Sequence, residues 1–181
     1  MTGLFVHGGG ADAYRFDADI VRRLRETLAG TVELEYPRVA GLERIEWPST
    51  NAQLAPLLAA LPGDAVLVAH SAGAVAAVKI LSGSDTFAVR RVFLLAAPYK
   101  AEDSHWGIDE FTFPNDFAKR LRPYMELTIY HSKDDATIPV NDALLYKAKL
   151  PAARVDILDG YGHQFSGPLG FLANAIRTNA R

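Results

Sequence analysis

The sequence predicts a three-layer α/β fold in which a doubly wound, mainly parallel six-stranded sheet carries helices on both faces. Short apolar runs of strand length alternate with segments of helical period, as in successive βαβ crossovers. The runs at residues 65–68 and 92–95 are apolar at every position, which is typical of strands buried on both faces. With 181 residues, 49% hydrophobic and 22% charged, the chain has the size and composition of one globular domain, residues 1–181.

The first half of the chain predicts two strands and two helices. Residues 4–6 form a strand that leads into a glycine-rich segment, residues 7–10. The next segment has apolar residues four positions apart, which predicts an amphipathic helix. These residues are Phe16, Ile20, Leu24 and Leu28. Residues 31–35 form the second predicted strand, and Ser49 is placed to cap a second helix with leucines at i, i+3, i+4 and i+7.

The second half continues the alternation around the central strand at residues 65–68. An almost wholly apolar helix begins at Ala72, and three further strands are predicted at residues 91–96, 126–131 and 154–158. A helix capped by Asn141 separates the last two strands, and a closing helix follows them. The predicted apolar faces consist of Leu144, Leu145 and Ala148 in the first helix, and of Phe171, Leu172, Ala175 and Ile176 in the second.

Composition excludes several classes of protein. Lys and Arg total 19 against 21 Asp and Glu, so there is no broad positive field to bind nucleic acid or an anionic membrane. The longest apolar run, residues 72–78, is far shorter than a bilayer span. The chain has no cysteine, which excludes disulfides and thiolate metal sites. Residues 1–10 lack the charged region of a signal peptide, and we expect a cytoplasmic protein.

The strongest chemical signal is the sequence Ala69-His70-Ser71-Ala72-Gly73, between the central strand and the helix that follows it. A serine on this sharp turn stands above the sheet edge, at the amino end of a helix whose N–H groups favour negative charge. Strand and helix backbones crowd together here, so the turn needs small residues two positions before and after the serine. Ala69 and Gly73 meet that need. The alternative is an ordinary serine helix cap.

A serine hydroxyl becomes a good nucleophile only with a base, and the base needs an orienting acid. His163 lies in a glycine-rich loop after the last strand, which can bring its imidazole over the carboxyl edge of the sheet. His131 is the next candidate, whereas His70 should point away from the serine beside it. Asp134 and Asp135 follow the fifth strand, and adjacent side chains rarely point the same way, so we expect one of them to face the base.

The order Ser71, Asp135, His163, with each residue after its own strand, resembles that of the α/β-hydrolase superfamily. An Asp-x-x-x-Pro pattern begins at Asp135 and a Gly-His pair ends at His163, and both look like loops of this family. Residues 7–10 resemble its oxyanion loop. The resemblance covers residues 4–176, and the chain's size is similar to that of the cap-less retinoblastoma-binding-protein-9-like serine hydrolases and small carboxylesterases.

The resemblance implies a mechanism. Ser71 attacks an acyl carbonyl, His163 accepts the serine proton, and Asp135 orients the imidazole. The backbone N–H groups of Gly9 and Ala72 form the oxyanion hole. The implied activity is hydrolysis of a small ester, thioester or lactone through an acyl-enzyme. It needs a small-molecule acyl substrate and neither a metal nor an organic cofactor.

The choice of acid has alternatives. The spacing favours Asp135 and leaves Asp134 free for solvent or for Lys133. Some hydrolases carry the acid after the preceding strand, where Asp103 and Asp109 are available.

Residues 98–124 do not fit the alternation, apart from one short predicted helix at residues 115–121. An insertion of this length in a compact domain is more often functional than idle, so we expect a small lid or a wall of the acyl pocket. Ordinary packing over the sheet edge is the alternative. The candidate pocket residues are the aromatic side chains Tyr99, Trp106, Phe111 and Phe113.

Two other functions stay open at this point. The pattern Gly8-x-Gly10-x-x-Ala13 lies between a strand and a helix, as a dinucleotide-binding fingerprint does, and Glu33 or Glu35 could accept the ribose hydroxyls. The second alternative is a hydrolase fold that serves as a non-catalytic binding module.

Overall fold

The computed structural model describes residues 1–99, 109–121, 123 and 125–178. Within these residues six strands form one parallel sheet. The strands are β1 (Thr2–Val6), β2 (Glu33–Glu35), β3 (Val66–His70), β4 (Arg91–Leu95), β5 (Glu126–Ser132) and β6 (Arg154–Leu158). Their order across the sheet is β2-β1-β3-β4-β5-β6. The predicted strands are therefore all present, and every pairing is parallel.

Helices cover both faces of this sheet. They are α1 (Ala13–Leu28), α2 (Ala40–Arg44), α3 (Trp47–Ala60), α4 (Ser71–Gly83), α5 (Phe117–Arg120), α6 (Asn141–Lys149) and α7 (Gly170–Thr178), with a 3-10 turn at Asp109–Phe111. Helices α1 and α7 pack on one face and bury one apolar cluster. Helices α3 to α6 pack on the other face over a second cluster. The predicted three-layer, doubly wound architecture is confirmed.

The register of the sheet determines where the loops meet. Val6 at the end of β1 pairs with Ala69, and His70 at the end of β3 pairs with Leu95. Because all strands run the same way, the loops after β1, β3, β5 and β6 leave from one edge. In open α/β sheets this carboxyl edge is where ligands bind. The topology therefore brings the glycine-rich loop, the serine turn, the aspartate loop and the histidine loop together.

The apolar face of α1 differs from the prediction. Phe16 is 54% exposed, whereas Asp17 is buried together with Ile20, Leu24 and Leu28. A step of four residues turns the helix by about 400°, so each step drifts by about 40° from the last. Over the three steps from Phe16 to Leu28 this drift adds up to about 120°, so Phe16 points away from the core when Leu28 points into it.

Two predicted helix starts and one apolar face also differ. Helix α3 begins at Trp47, so Ser49 lies inside its first turn and not at the cap. Asn141 is the first residue of α6, and Val140 occupies the cap position. Leu144 and Leu145 are 53% and 40% exposed. The buried face of α6 consists instead of Asp142, Ala143 and Tyr146.

Candidate active site

Ser71 occupies a strained turn between β3 and α4. Its φ of 49° lies in the left-handed region, where a residue with a Cβ is uncommon and often functional. A Cβ on Gly73 would overlap the His7 carbonyl oxygen, so the position two residues after the serine accepts only glycine. Ala69 is completely buried in β3. Among the described residues Ser71 Oγ makes no hydrogen bond. The hydrogen bond between a catalytic group and its partner often tightens only when substrate is bound.

The loop after β1 places Gly9 against the first turn of α4. A Cβ built on Gly9 would lie 2.9 Å from Cβ of Ala72. The buried His7 donates from Nδ1 to the Gly8 carbonyl (2.8 Å) and accepts the Val39 N–H at Nε2 (3.0 Å). Burial lowers the pKa of His7, which keeps this ring neutral. Because C=O and N–H of a trans peptide point in opposite directions, holding the Gly8 carbonyl also fixes the Gly9 N–H.

The structure brings His163 and Asp135 into direct contact. His163 Nδ1 donates to Asp135 Oδ2 at 2.9 Å. Asp135 Oδ1 accepts the N–H groups of Thr137 and Ile138, each at 2.8 Å. The Asp135 carboxylate is fully buried, whereas the His163 side chain is 14% exposed. Burial raises the pKa of Asp135, but the hydrogen bonds from His163 and the two N–H groups outweigh it and hold the pKa below its usual value.

Asp134 binds the same histidine loop at a different point. Its Oδ1 accepts hydrogen bonds from Ser132 Oγ and from the Gly162 N–H, the latter at 3.1 Å. Ser132 Oγ in turn accepts the Tyr161 N–H at 3.0 Å. Asp134 is exposed to solvent, as expected, but its carboxylate is also bound within the protein, and Lys133 pairs with Asp159 instead. The Asp134 carboxylate holds the backbone of Gly162, the residue directly before His163, through a hydrogen bond.

Both ring nitrogens of the buried His70 have hydrogen-bond partners next to the site. Its Nδ1 lies 2.9 Å from Asp17 Oδ2, and its Nε2 lies 2.9 Å from the His163 carbonyl oxygen. Asp17 Oδ2 also accepts the Gly8 N–H at 2.8 Å. Burial of His70 lowers its pKa, but the Asp17 carboxylate and the other hydrogen-bond acceptor raise it above the ordinary value. With both ring nitrogens occupied, His70 cannot serve as the base.

Asp17 is a site residue that was not predicted from the sequence. Its spacing could have indicated burial, because Asp17 lies three residues before Ile20 and four before Val21, on the face of α1 that packs against the sheet.

His131 approaches Asp135 from another position. Its Nε2 donates to the Ile138 carbonyl at 2.9 Å and lies 3.6 Å from Asp135 Oδ2. The His131 side chain is fully buried, and within the described ranges its Nδ1 has no hydrogen-bond partner. Solvent can therefore reach the His163 side chain but not that of His131.

The described aromatic residues of the insertion pack in the core. Tyr99, Phe111 and Phe113 are 5%, 2% and 0% exposed. Tyr99 contacts the ring of Phe113 with centroids 5.5 Å apart, and Phe113 contacts that of Phe117 at 4.3 Å. Tyr146 closes the cluster and donates to the Pro98 carbonyl. These contacts favour the packing alternative for the three residues.

The remaining candidates of the insertion cannot be placed in the site. Trp106 and Asp103 lie outside the described residues, as does the side chain of Asp109.

An apolar side chain does lie beside the glycine loop. Ile45 caps α2 directly after its last residue, with a φ of 55°, a rare backbone conformation for a β-branched residue. Its Cγ1 and Cδ1 lie 3.5 and 3.6 Å from the Cβ position of Gly9. The partly buried Ile45 therefore forms a wall next to the N–H group proposed for the oxyanion hole.

The contacts of the glycine loop count against dinucleotide binding. The Gly8 N–H donates to Asp17, and the Gly10 N–H donates to the Leu42 carbonyl at 3.1 Å. A pyrophosphate would need these donors for itself. No group of three or more acidic or histidine side chains within the described ranges is arranged to hold a metal ion. In the same part of the chain, no helix has both the length and the apolar character to span a bilayer.

The chain belongs to the alpha/beta hydrolase family, whose model matches residues 4–178. In structure it is similar to the ydeN gene product from B. subtilis, with a TM-score of 0.79 and 16% identity over 98% of this chain and 97% of that one.

Two further solved structures are similar. Est1E from Butyrivibrio proteoclasticus has a TM-score of 0.65 and 12% identity over 98% of this chain and 85% of its own. The methylesterase protein MES16 from Arabidopsis has a TM-score of 0.64 and 16% identity over 98% of both chains. At these identities the likeness shows the fold. No curated protein matches the chain in sequence.

Proposed function

We propose that the protein is a serine hydrolase that cleaves a small ester, or a related thioester or lactone, through an acyl-enzyme on Ser71. The observation that carries the proposal is the 2.9 Å hydrogen bond from His163 Nδ1 to the buried Asp135, on the loops that leave the same sheet edge as the Ser71 turn. An imidazole that donates from Nδ1 has Nε2 free to accept a proton. This is the tautomer that a general base requires.

In the proposed acylation step Ser71 Oγ attacks the acyl carbon, and its proton moves to His163 Nε2. The carbonyl electrons move to the substrate oxygen, which faces the N–H groups of Gly9 and Ala72. When this intermediate collapses, the bond to the alcohol breaks and His163 returns the proton to the departing oxygen. Asp135 stays ionised throughout and stabilises the transient imidazolium.

Deacylation repeats these steps with water as the nucleophile. His163 Nε2 takes a proton from the water, the hydroxide attacks the acyl carbon, and Ser71 leaves with that proton. The products are the free acid and the restored serine. Each preorganised backbone donor can contribute about 2.7–4 kcal/mol to the stabilisation of the oxyanion.

Labelling with a fluorophosphonate tests the proposal, together with hydrolysis of p-nitrophenyl esters of increasing chain length. We expect the parent protein to label at one serine and Ser71→Ala to lose both labelling and turnover while remaining folded. Ser84→Ala serves as the control because Ser84 lies at the other end of α4, where its hydroxyl bonds Thr86. Full labelling of Ser71→Ala would refute the assignment. A folded parent that never labels would favour the binding-module alternative.

A further inference from the structure

A buried ion pair lies directly beneath the proposed active site and takes no part in the steps above. The side chains of Asp17 and His70 are each 1% exposed, and their nearest polar atoms are 2.9 Å apart. Asp17 comes from α1 and His70 from the end of β3, immediately before the nucleophile. Helix α1 and the serine turn are therefore joined through two buried charged groups, and an unpaired charge in such a position would be costly.

The hydrogen-bond partners define the protonation of His70. The His163 carbonyl oxygen can only accept, so Nε2 of His70 must carry a hydrogen. Asp17 Oδ2 already accepts the Gly8 N–H, so this carboxylate acts as an acceptor toward the imidazole as well. Nδ1 of His70 then carries the second hydrogen. The ring is an imidazolium paired with an aspartate.

We propose that the His70 imidazolium and the Asp17 carboxylate form a positioning pair that fixes the base His163 and the oxyanion loop relative to Ser71. The inference rests on the proposed function. It assigns no contact with substrate to either residue of the pair.

The pair holds two groups that the mechanism requires. His163 is fixed at its ring by Asp135 and at its carbonyl by His70. The Gly8 residue is fixed at its N–H by Asp17 and at its carbonyl by His7. The proposed base and the proposed oxyanion donor are therefore both held by one buried ion pair, whose His70 directly precedes Ser71 in the sequence.

The positive charge is essential to this arrangement. A neutral His70 has one N–H and could satisfy either Asp17 or the His163 carbonyl, but not both. Within the described ranges the other titratable groups near the pair are His163, Asp135, His7 and Tyr36. Hydrogen bonds and the opposite charge of His70 outweigh the burial of Asp17 and keep its pKa below the usual value. The pair is therefore ionised on both sides.

Nitrogen-15 NMR of the histidine rings tests the charge without reference to activity. We expect one histidine of the parent protein to keep both ring nitrogens protonated at about pH 8, where an ordinary imidazole is neutral. The signal is assigned by its absence from His70→Gln. It should also change to the neutral form in Asp17→Asn, because the Asn amide oxygen can still accept the Gly8 N–H but carries no charge to stabilise the imidazolium. A neutral His70 ring in the folded parent would overturn the proposal.

Kinetics test the positioning role. We expect Asp17→Asn to lower kcat about 10- to 100-fold, as for a small misplacement of reacting groups, with KM changed about twofold or less. Fluorophosphonate labelling of Ser71 should slow by a similar factor. Asp12→Asn is the matched control, because Asp12 is an exposed carboxylate at the start of the same helix.

An unchanged kcat in a folded Asp17→Asn with a neutral His70 would show that the pair has only a structural role. Should Asp17→Asn not fold, the same comparison is made with His70→Gln, whose amide N–H group cannot replace both ring donors. Failure of the proposed function has a different signature, because Ser71→Ala would then keep its activity while the ring spectrum of His70 stayed the same.

Discussion

Asp134 and Asp135 are neighbours in the chain, but their carboxylates hold different parts of one loop. Asp135 Oδ2 accepts from the His163 ring at 2.9 Å, and Asp134 Oδ1 accepts from the Gly162 N–H at 3.1 Å. One aspartate therefore orients the imidazole while the other fixes the backbone just before it. The loop carries two glycines with positive φ, Gly160 and Gly162, so without such anchors its backbone would have many accessible conformations.

The two aspartates should respond differently to loss of charge. We expect Asp135→Asn to lower kcat by up to about 10⁴-fold, because an amide cannot both accept from His163 and stabilise the imidazolium. Asp134→Asn keeps an oxygen for the Gly162 N–H and should stay within about threefold of the parent, since it loses only a charge-assisted hydrogen bond. Ester turnover of both variants, with circular dichroism as the folding control, checks this. Equal loss in both would contradict the assigned roles.

Gly73 and Gly83 offer a matched pair of substitutions in one helix. A Cβ at Gly73 meets the His7 backbone, whereas a Cβ at Gly83 meets no atom within 4 Å. We expect Gly73→Ala to cost more than about 3 kcal/mol in the free energy of unfolding, because the overlap is with backbone and not with a movable side chain. Gly83→Ala should change it by at most about 1 kcal/mol. Urea denaturation measures both, and a stable Gly73→Ala would refute the tight turn.

Stability should depend on pH through His70. Its pKa is raised in the folded protein, so its contribution to stability is fully present below about pH 6.5, the unfolded value, and is lost as pH rises through the folded pKa. In Asp17→Asn the buried ring lacks its counter-charge, so we expect burial to lower the pKa. Stability of that variant should then fall as pH drops below about 6.5.

The measurement is the difference in Tm between the parent and Asp17→Asn across this range of pH. His7, whose pKa is lowered by burial, is present in both proteins, so most of its effect cancels in the difference. We expect the gap in Tm to widen from about pH 8 to about pH 5.5. A constant gap would mean that His70 has the same charge in both proteins.

Ile45 should limit the acyl group that fits beside the oxyanion loop. We expect Ile45→Ala to shift the preference among p-nitrophenyl esters toward longer chains by about 10-fold or more, as for one to two methylene groups in an apolar pocket. Leu57→Ala is the control, because Leu57 packs on the same apolar cluster from α3. A uniform loss of activity for all esters would assign Ile45 to packing instead.

Much of the fold follows from local patterns in the sequence. All residues of β3 and β4 are buried, and apart from His70 and Arg91 at their ends they are apolar, which is the pattern that predicts parallel strands. Helix faces were harder to predict, because a few degrees of rotation decide burial. Leu144 and Leu145 were predicted to be buried because they are the most hydrophobic residues of α6, but both are exposed. Tyr146 is buried instead, and its hydroxyl donates to the Pro98 carbonyl.

The contacts within the site could be predicted only in part. The serine, acid and histidine each lie in a recognisable local pattern, and the structure places Asp135 against His163. The Asp17–His70 pair joins positions 53 residues apart and has no local pattern of its own. Only the packing of α1 on the sheet brings the two side chains together, so their contact could not be predicted from the sequence alone.

The order of strands in the sheet has a consequence for biosynthesis. From β4 onward each strand joins the edge formed by the strand before it, so a chain emerging from the ribosome can add strands one at a time. The proposed nucleophile Ser71 and the proposed acid Asp135 are synthesised first, and His163 follows the last strand to be added. A partly made chain therefore carries the serine without its proposed base, and we expect esterase activity to appear only when the final loop closes over His70.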